Sequence, residues 1–278
     1  MTAHKSLAFQ GRPIVSDPLV IETDQLQAED ITHLARKKIA AIRIKNYYPK
    51  DLCRKITEQL LNQRKEGRFA KAQHVQRIGM PHFDIIDANS FNRYHEIALD
   101  SIKQLRDVYS PYLSPIDKLR LELDETWPPG ANLENLYGKK CFVGLCRIIQ
   151  GETGSTLEPH IDRLSRDSND SYAAHSLVSQ MAANIYVATP ETGGKLEIWL
   201  QEPNIEDYEN ALKKTGSYHV DRNSLGDPDV VIGPEVGELI LFNSRCFHGV
   251  RESRGGIRSS IAAFIGYRGE HHSLSLWS

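Results

Sequence analysis

Helical periodicity concentrated in residues 1–139, followed by short apolar strands across residues 140–268, predicts a mainly β protein. The expected fold is a double-stranded β-helix, a cupin-like jelly roll, buttressed by N-terminal helices. Two further observations support it. The strands are separated by turn residues at short intervals, and 278 residues suit one large β core with helical cover. A single domain over 1–278 is therefore expected, with residues 201–229 as an insertion between core strands.

In chain order, residues 1–25 are irregular and punctuated by proline. Ala28-Glu29-Asp30 opens a helical run through Ile31, Leu34, Ala35 and Ile39, with acids first and Lys37-Lys38 last, as the helix dipole favours. Ala41–Ile44 reads as a strand. Pro49 starts a helix carrying Leu52, Ile56 and Leu60 at fourfold spacing, and Gly67 stops it. Residues 68–90 read as a loop centred on Ile78–Phe83. Helices follow over 91–109 and 115–126, closed by Trp127-Pro128-Pro129-Gly130. The strands then read 142–149, 157–161, 181–187, 195–200, 230–232, 238–242 and 257–267. Inside the polar insertion, 208–214 has helical spacing, and the segment is either a lid or a solvated excursion.

Composition narrows the function classes. Hydrophobic residues make up 40% and charged residues 25%, which is a globular balance, and the net charge of −2 gives no basic footprint for nucleic acid. Cys53, Cys141, Cys146 and Cys246 form no C-x-x-C pair, which argues against a zinc ribbon or redox motif. No apolar stretch reaches the roughly 18 residues a membrane span needs, and none opens the chain as a signal peptide would. The expected compartment is the cytoplasm. A small molecule is the expected partner, with a homodimer as the alternative to a monomer.

The chemistry concentrates on Glu158-Pro159-His160-Ile161-Asp162 and on His248. Residues two apart in a strand share a face, so His160 and Asp162 are expected to project together, with His248 reaching them from another strand. Two imidazoles and one carboxylate on one side of a metal are the ligand set of non-haem Fe(II) oxygenases, which keep positions open for cosubstrate and O₂. With 11 histidines and 36 acidic residues, a bare His-x-Asp match arises by chance, so its surroundings decide. An oxygenase using 2-oxoglutarate must neutralise the distal carboxylate of that keto acid, a task suited to the planar fork of arginine. Arg258 stands ten positions after His248, shares a strand face with Ser260 and precedes the apolar run Ile261–Ile265. Arg147, on the strand before His160, is the second arginine expected inside the barrel. Arg251 and Arg254 read as solvated turn residues.

The runs Gly193-Gly194-Lys195-Leu196-Glu197-Ile198-Trp199 and Gly237-Glu238-Leu239-Ile240-Leu241-Phe242-Asn243, with His248, Arg258 and Ser260 after them, resemble the strand sequence of Fe(II)/2-oxoglutarate oxygenases across residues 140–268. A narrower likeness rests on Leu145–Gly151, Pro190–Gly194, the long insertion and Leu276-Trp277-Ser278. These are similar to carrier-independent indole-alkaloid halogenases and N-acyl (N-succinyl) amino-acid hydroxylases, both of which act on free small molecules. The resemblance implies Fe(II) held by His160, Asp162 and His248, 2-oxoglutarate as cosubstrate and O₂ as oxidant. Halogenases of this type have glycine at the position of Asp162, because chloride takes that metal site. With the carboxylate present the expected outcome is hydroxylation, and desaturation is the remaining oxidative alternative.

For the substrate, Gln76–Phe83 is expected to cover the metal, with Gly79 for close approach and Phe83 for packing. Asn184 and Trp199 on core strands, and Arg163 and Arg166 just past the triad, are further candidates. His175, His219, His271 and His272 lack a partner spacing and read as surface residues. The expected function is hydroxylation of an amino acid or N-acylated amino-acid derivative. An alkaloid, another natural product or a peptide side chain is the alternative substrate, and a cupin-like binding barrel without catalysis is the non-enzyme alternative.

Overall fold

The structure, a computed structural model, describes residues 19–62, 68–69, 72–150 and 155–278. A short strand, β1 (Val20–Glu22), precedes α1 (Ala28–Ala35), which carries Glu29 and Asp30 in its first turn and buries Ile31 and Leu34. β2 (Ala41–Ile44) has the bounds expected from its apolar run, and α2 (Lys50–Asn62) follows Pro49. The Gly67 stop lies outside the described residues. β3 (Arg68–Phe69) and β4 (Ala72–Ile78) occupy part of the stretch expected to be loop. The polar run Ala72–Ile78 has no strong apolar alternation, and β4 takes its order from pairing with a neighbouring strand.

α3 (Ala88–Tyr109) starts where Asp87 accepts from the Ser90 N–H at 2.7 Å, with Ser90 Oγ accepting in return from the Asp87 N–H. α4 (Pro115–Thr126) starts on the Ser114 cap with proline at its first position. Three short strands, β5 (Ala131–Leu133), β6 (Asn135–Leu136) and β7 (Lys139–Lys140), lead into the barrel.

Its strands are β8 (Leu145–Gln150), β9 (Ser155–His160), β10 (Ser179–Ala188), β11 (Thr192–Gly193), β12 (Leu196–Ile198), β13 (Val230–Ile232), β14 (Leu239–Asn243), β15 (His248–Arg254), β16 (Ile257–Tyr267) and β17 (Leu274–Trp277). Short helices α5 (Leu164–Asp167) and α6 (Tyr172–His175) follow β9, and α7 (Ile205–Thr215) lies in the insertion. β15 corrects the reading of Arg251 and Arg254 as turn residues. Both sit on a strand, where Arg251 pairs with Glu197 at 2.6 Å and Arg254 with Glu252 at 2.9 Å.

The larger sheet runs β1-β2-β14-β10-β16-β8-β4-β3, with β17 joined to β16 and β5 to β17. The smaller runs β11-β15-β12-β13, with β9 beside β15. Together they form the jelly roll, and α1 to α4 pack on the larger sheet, whose strands β10, β14 and β16 are almost wholly buried. The insertion is anchored by its own apolar cluster of Ile161, Trp199, Tyr208, Leu212, Val220, Leu225 and Phe247. Arg222 adds ion pairs to Glu197 at 3.2 Å and Glu158 at 3.7 Å. Residues 201–229 are thus packed, and not a solvated excursion. No helix among the described residues is long and apolar enough to cross a membrane.

His82 makes one energetic demand. It is 2% exposed, its ring lies edge-on to Tyr94, and its Nδ1 has no partner. Burial, with His95 adding to it, pushes its pKa down to about 4. Between about pH 6.5 and that value the unfolded chain takes up a proton that the folded chain refuses, so folding stability falls as pH falls. His82→Phe is expected to flatten that loss by roughly 3 kcal/mol across this window, read as wild-type minus variant denaturant stability at pH 7 and pH 4.5. Parallel pH curves for the two proteins would contradict it.

Candidate active site

The register of the smaller sheet brings the two histidines together: His248 is the cross-strand partner of His160, and the ring centroids are 4.4 Å apart. Each ring is oriented by a main-chain carbonyl two residues earlier. His160 Nδ1 donates to Glu158 O at 2.8 Å and His248 Nδ1 to Cys246 O at 3.0 Å. A carbonyl can only accept, so the proton sits on Nδ1 and the Nε2 lone pair is free for a metal. Asp162 lies just past the end of β9, and not within an extended strand as expected. Its N–H donates to Ser244 O at 2.8 Å, which turns its carboxylate to within 3.2 Å of His248 Nε2. Donor atoms of His160, Asp162 and His248 all lie within 4.8 Å of one another, and among the described residues this is the one cluster able to hold a metal ion.

The electrostatics suit that use. Burial, then the neighbouring His248, pushes the His160 pKa down to about 4, so the ring is neutral and able to ligate across the physiological range. Burial alone would raise the Asp162 carboxyl. The neighbouring His248 and His160 rings and the Arg147 charge outweigh it and hold its pKa below the ordinary carboxylate value.

Opposite the triad, the larger sheet supplies the floor of a cavity of about 760 Å³. The pleat sends alternate residues inward: Leu145, Arg147 and Ile149 from β8, Ala182, Asn184 and Tyr186 from β10, and Arg258, Ser260 and Ala262 from β16. Ser260 pairs across the ladder with Arg147 on one side and Tyr186 on the other, which sets the polar groups in one row. Arg258 is 9% exposed, its guanidinium lies over Tyr186 with 5.4 Å from its carbon to the ring centroid, and its Nε is buried without a partner. Among the described residues neither Arg258 nor Arg147 has a carboxylate within ion-pair distance. Burial lowers the Arg147 pKa, Asp162 opposes this, and Arg258 adds to it. A buried guanidinium, Arg258, and a partly buried one, Arg147, beside Asn184 and Ser260 make a site for an anion, because a desolvated charge without a counter-ion is costly.

The remaining candidates divide. Phe83, Arg163 and Arg166 line the cavity, with Arg163 also 3.5 Å from Glu202. Gly79 does not line it. Its positive φ of 89° and its packing against the Phe142 ring, into which any Cβ would collide, give it a backbone role. Trp199 does not line it either. It is fully buried in the cluster beneath α7, and its Nε1 donates to Gly226 O at 2.9 Å. Sequence reasoning missed Tyr186, Phe242 and Tyr218. The Phe242 ring lies tilted 4.9 Å from that of His248, and the Tyr218 ring sits edge-on 6.4 Å from that of His160. Tyr186 was findable, being two residues from Asn184 on the same strand face. Tyr218 comes from the insertion, where no periodicity points to the cavity.

The sequence profile described as the 2OG-Fe(II) oxygenase superfamily matches residues 144–266. The chain is 28% identical over 156 residues to L-gamma-glutamyl-L-propargylglycine hydroxylase of Streptantibioticus cattleyicolor, covering 54% of this chain and 55% of that relative. It thus spans about half the length of the curated relative it matches. In fold it is similar to the crystal structure of an N-substituted L-amino acid dioxygenase from Burkholderia ambifaria in complex with alpha-KG. The TM-score there is 0.54, with 14% identity and coverage of 90% of this chain and 91% of that one. A second crystal structure of the same Burkholderia dioxygenase gives the same TM-score with 15% identity.

Proposed function

We propose that this chain, whose residues 144–266 match the 2OG-Fe(II) oxygenase superfamily, is an Fe(II)/2-oxoglutarate-dependent hydroxylase of an amino acid or amino-acid derivative. One observation carries the reading. A two-histidine, one-carboxylate cluster shares a cavity with a buried arginine that has no carboxylate partner among the described residues. His160, Asp162 and His248 would hold Fe(II). Iron bound there, with 2-oxoglutarate and O₂, supplies the oxidant that converts C–H to C–OH while the keto acid becomes succinate and CO₂.

The protein's own contribution is binding, orientation and exclusion of water. Arg258 and Ser260, on one strand face, bind the distal carboxylate of 2-oxoglutarate. Arg147, opposite Ser260, adds a second positive charge and points the keto acid toward the triad. Tyr186 holds the Arg258 guanidinium in place. Leu145, Ile149, Ala262 and Phe264 line the same cavity and limit water around these groups. The amino-acid class is supported by the similarity to L-gamma-glutamyl-L-propargylglycine hydroxylase.

The test is succinate release from purified protein given Fe(II), 2-oxoglutarate and a panel of free and N-substituted amino acids. A product heavier by one oxygen, formed only when all three co-reactants are present, is expected. Succinate and product formation that persists without metal would overturn the reading.

Asp162 carries the choice of hydroxylation. Asp162→Gly removes one metal ligand and its charge, and hydroxylation is expected to fall by more than about tenfold, since even groups that only hydrogen-bond to ligands are worth about 10–100-fold. Full activity from an iron-loaded Asp162→Gly protein would remove Asp162 from the ligand set.

A further inference from the structure

We infer that the insertion, residues 201–229, positions the metal triad, and that Tyr208 and Leu225 set metal affinity without being ligands. This rests on the metal-site reading above and concerns the same three side chains. The reason begins with the strand that carries His160. Among the described strands β9 pairs with β15 alone, so its other edge presents main-chain groups that no strand satisfies. The β9–β15 ladder is itself irregular, slipping in register between His248 and Val250 and again between Val250 and Ser253. Pro159, one residue before His160, has no N–H to give to any ladder. Strand pairing therefore leaves the main chain beside His160 short of partners.

The insertion supplies them. The Val220 N–H donates to Pro159 O at 3.0 Å. Tyr208 Oη, on α7, accepts at 3.4 Å from the N–H of Ile161, the residue between His160 and Asp162. Phe247, the residue before His248, donates its N–H to Gln201 O at 3.0 Å, where the insertion begins. The side chains repeat the pattern. Ile161 and Phe247 bury into one apolar cluster with Tyr208, Leu212, Val220 and Leu225, separate from the main core. The Tyr208 and Phe247 rings lie 5.9 Å apart. Residues on both sides of His160, and the one before His248, are thus held by the insertion.

Groups that orient metal ligands contribute to metal affinity although they never touch the ion. The dependence is reciprocal, so a metal on the triad must stabilise the insertion by the same factor. Leu212, Gly216, Ser217 and Tyr218 of this segment line the cavity, so its wall and the metal site share one folded element. Tyr208, Val220 and Leu225 do not line it, which separates the holding of the metal from contact with substrate.

The experiment is calorimetric titration of the purified protein with Ni(II), alongside melting temperatures. Leu225→Ala trims the cluster outside the cavity and is expected to weaken Ni(II) binding by about tenfold or more. Tyr208→Phe keeps the ring and removes the acceptor of the Ile161 N–H. It should weaken Ni(II) by about fivefold or more, since a buried N–H without an acceptor is costly. Leu123→Ala, on α4 in the main core, also lowers the melting temperature. It should leave Ni(II) affinity within about twofold, because distant sites act independently. In the wild-type protein, Ni(II) is expected to slow amide hydrogen exchange across residues 205–225 by about tenfold or more.

Wild-type Ni(II) affinity in either folded insertion variant, or equal weakening by Leu123→Ala, would overturn the inference. Exchange across 205–225 that ignores Ni(II) would overturn it as well. If Leu225→Ala does not fold, Tyr208→Phe and the exchange measurement decide. A wild-type protein that binds no Ni(II) would overturn the metal-site reading itself, and this inference with it.

Discussion

Alanine at His160 or at His248 is expected to abolish stoichiometric iron binding and to lower turnover by more than about 100-fold. Two remaining donors cannot hold Fe(II) in a site that must stay open on its other side. The structure makes the prediction symmetrical. The histidines are cross-strand partners with 4.4 Å between ring centroids, and each is oriented by a main-chain carbonyl that survives replacement of the other. Neither variant should unfold, because each deletion trims a side chain that faces the cavity. Iron content by elemental analysis, alongside melting temperature, checks this. Full iron occupancy with near-normal succinate release from either variant would remove that histidine from the ligand set.

Arg258→Ala is expected to raise the 2-oxoglutarate requirement by about 30-fold or more while leaving iron content intact. The basis is the roughly 2–5 kcal/mol lost when a buried charge loses its partner. The floor geometry separates its role from that of Arg147. Arg258 and Ser260 share one strand face, whereas Arg147 stands across the ladder from Ser260 and is felt electrostatically by Asp162. Arg147→Ala should therefore weaken the keto acid less. Apparent 2-oxoglutarate constants for the two variants decide the matter. An unchanged constant for Arg258→Ala together with a large rise for Arg147→Ala would exchange the two assignments.

Much of this site was legible because its chemistry is local in sequence. Arg258 and Ser260 lie two apart on a long apolar strand whose bounds, Ile257–Tyr267, coincide with its hydrophobic run. What failed depended on partners distant in sequence. β15 begins at His248 but continues as Arg251-Glu252-Ser253-Arg254, polar enough to read as a turn until its pairing with β9 and β12 is known. Trp199 directly follows β12, and it turns into the cluster under α7, to which residues of the insertion contribute. Asp162 reaches its place by a main-chain bond to Ser244, which no spacing rule supplies. The Arg166–Glu209 ion pair was hidden for the same reason, since Arg166 finds Glu209 only after 201–229 has folded back over the barrel.

The central claim is that one cavity holds one metal and one 2-oxoglutarate through residues of opposite sheets. Anaerobic titration calorimetry of the purified protein with Fe(II), and then with 2-oxoglutarate, tests it most directly. One equivalent of each per chain is expected, with 2-oxoglutarate binding tightly only after the metal and losing that affinity in Arg258→Ala. Binding of 2-oxoglutarate that is equally tight without metal, or in the absence of Arg258, would contradict it.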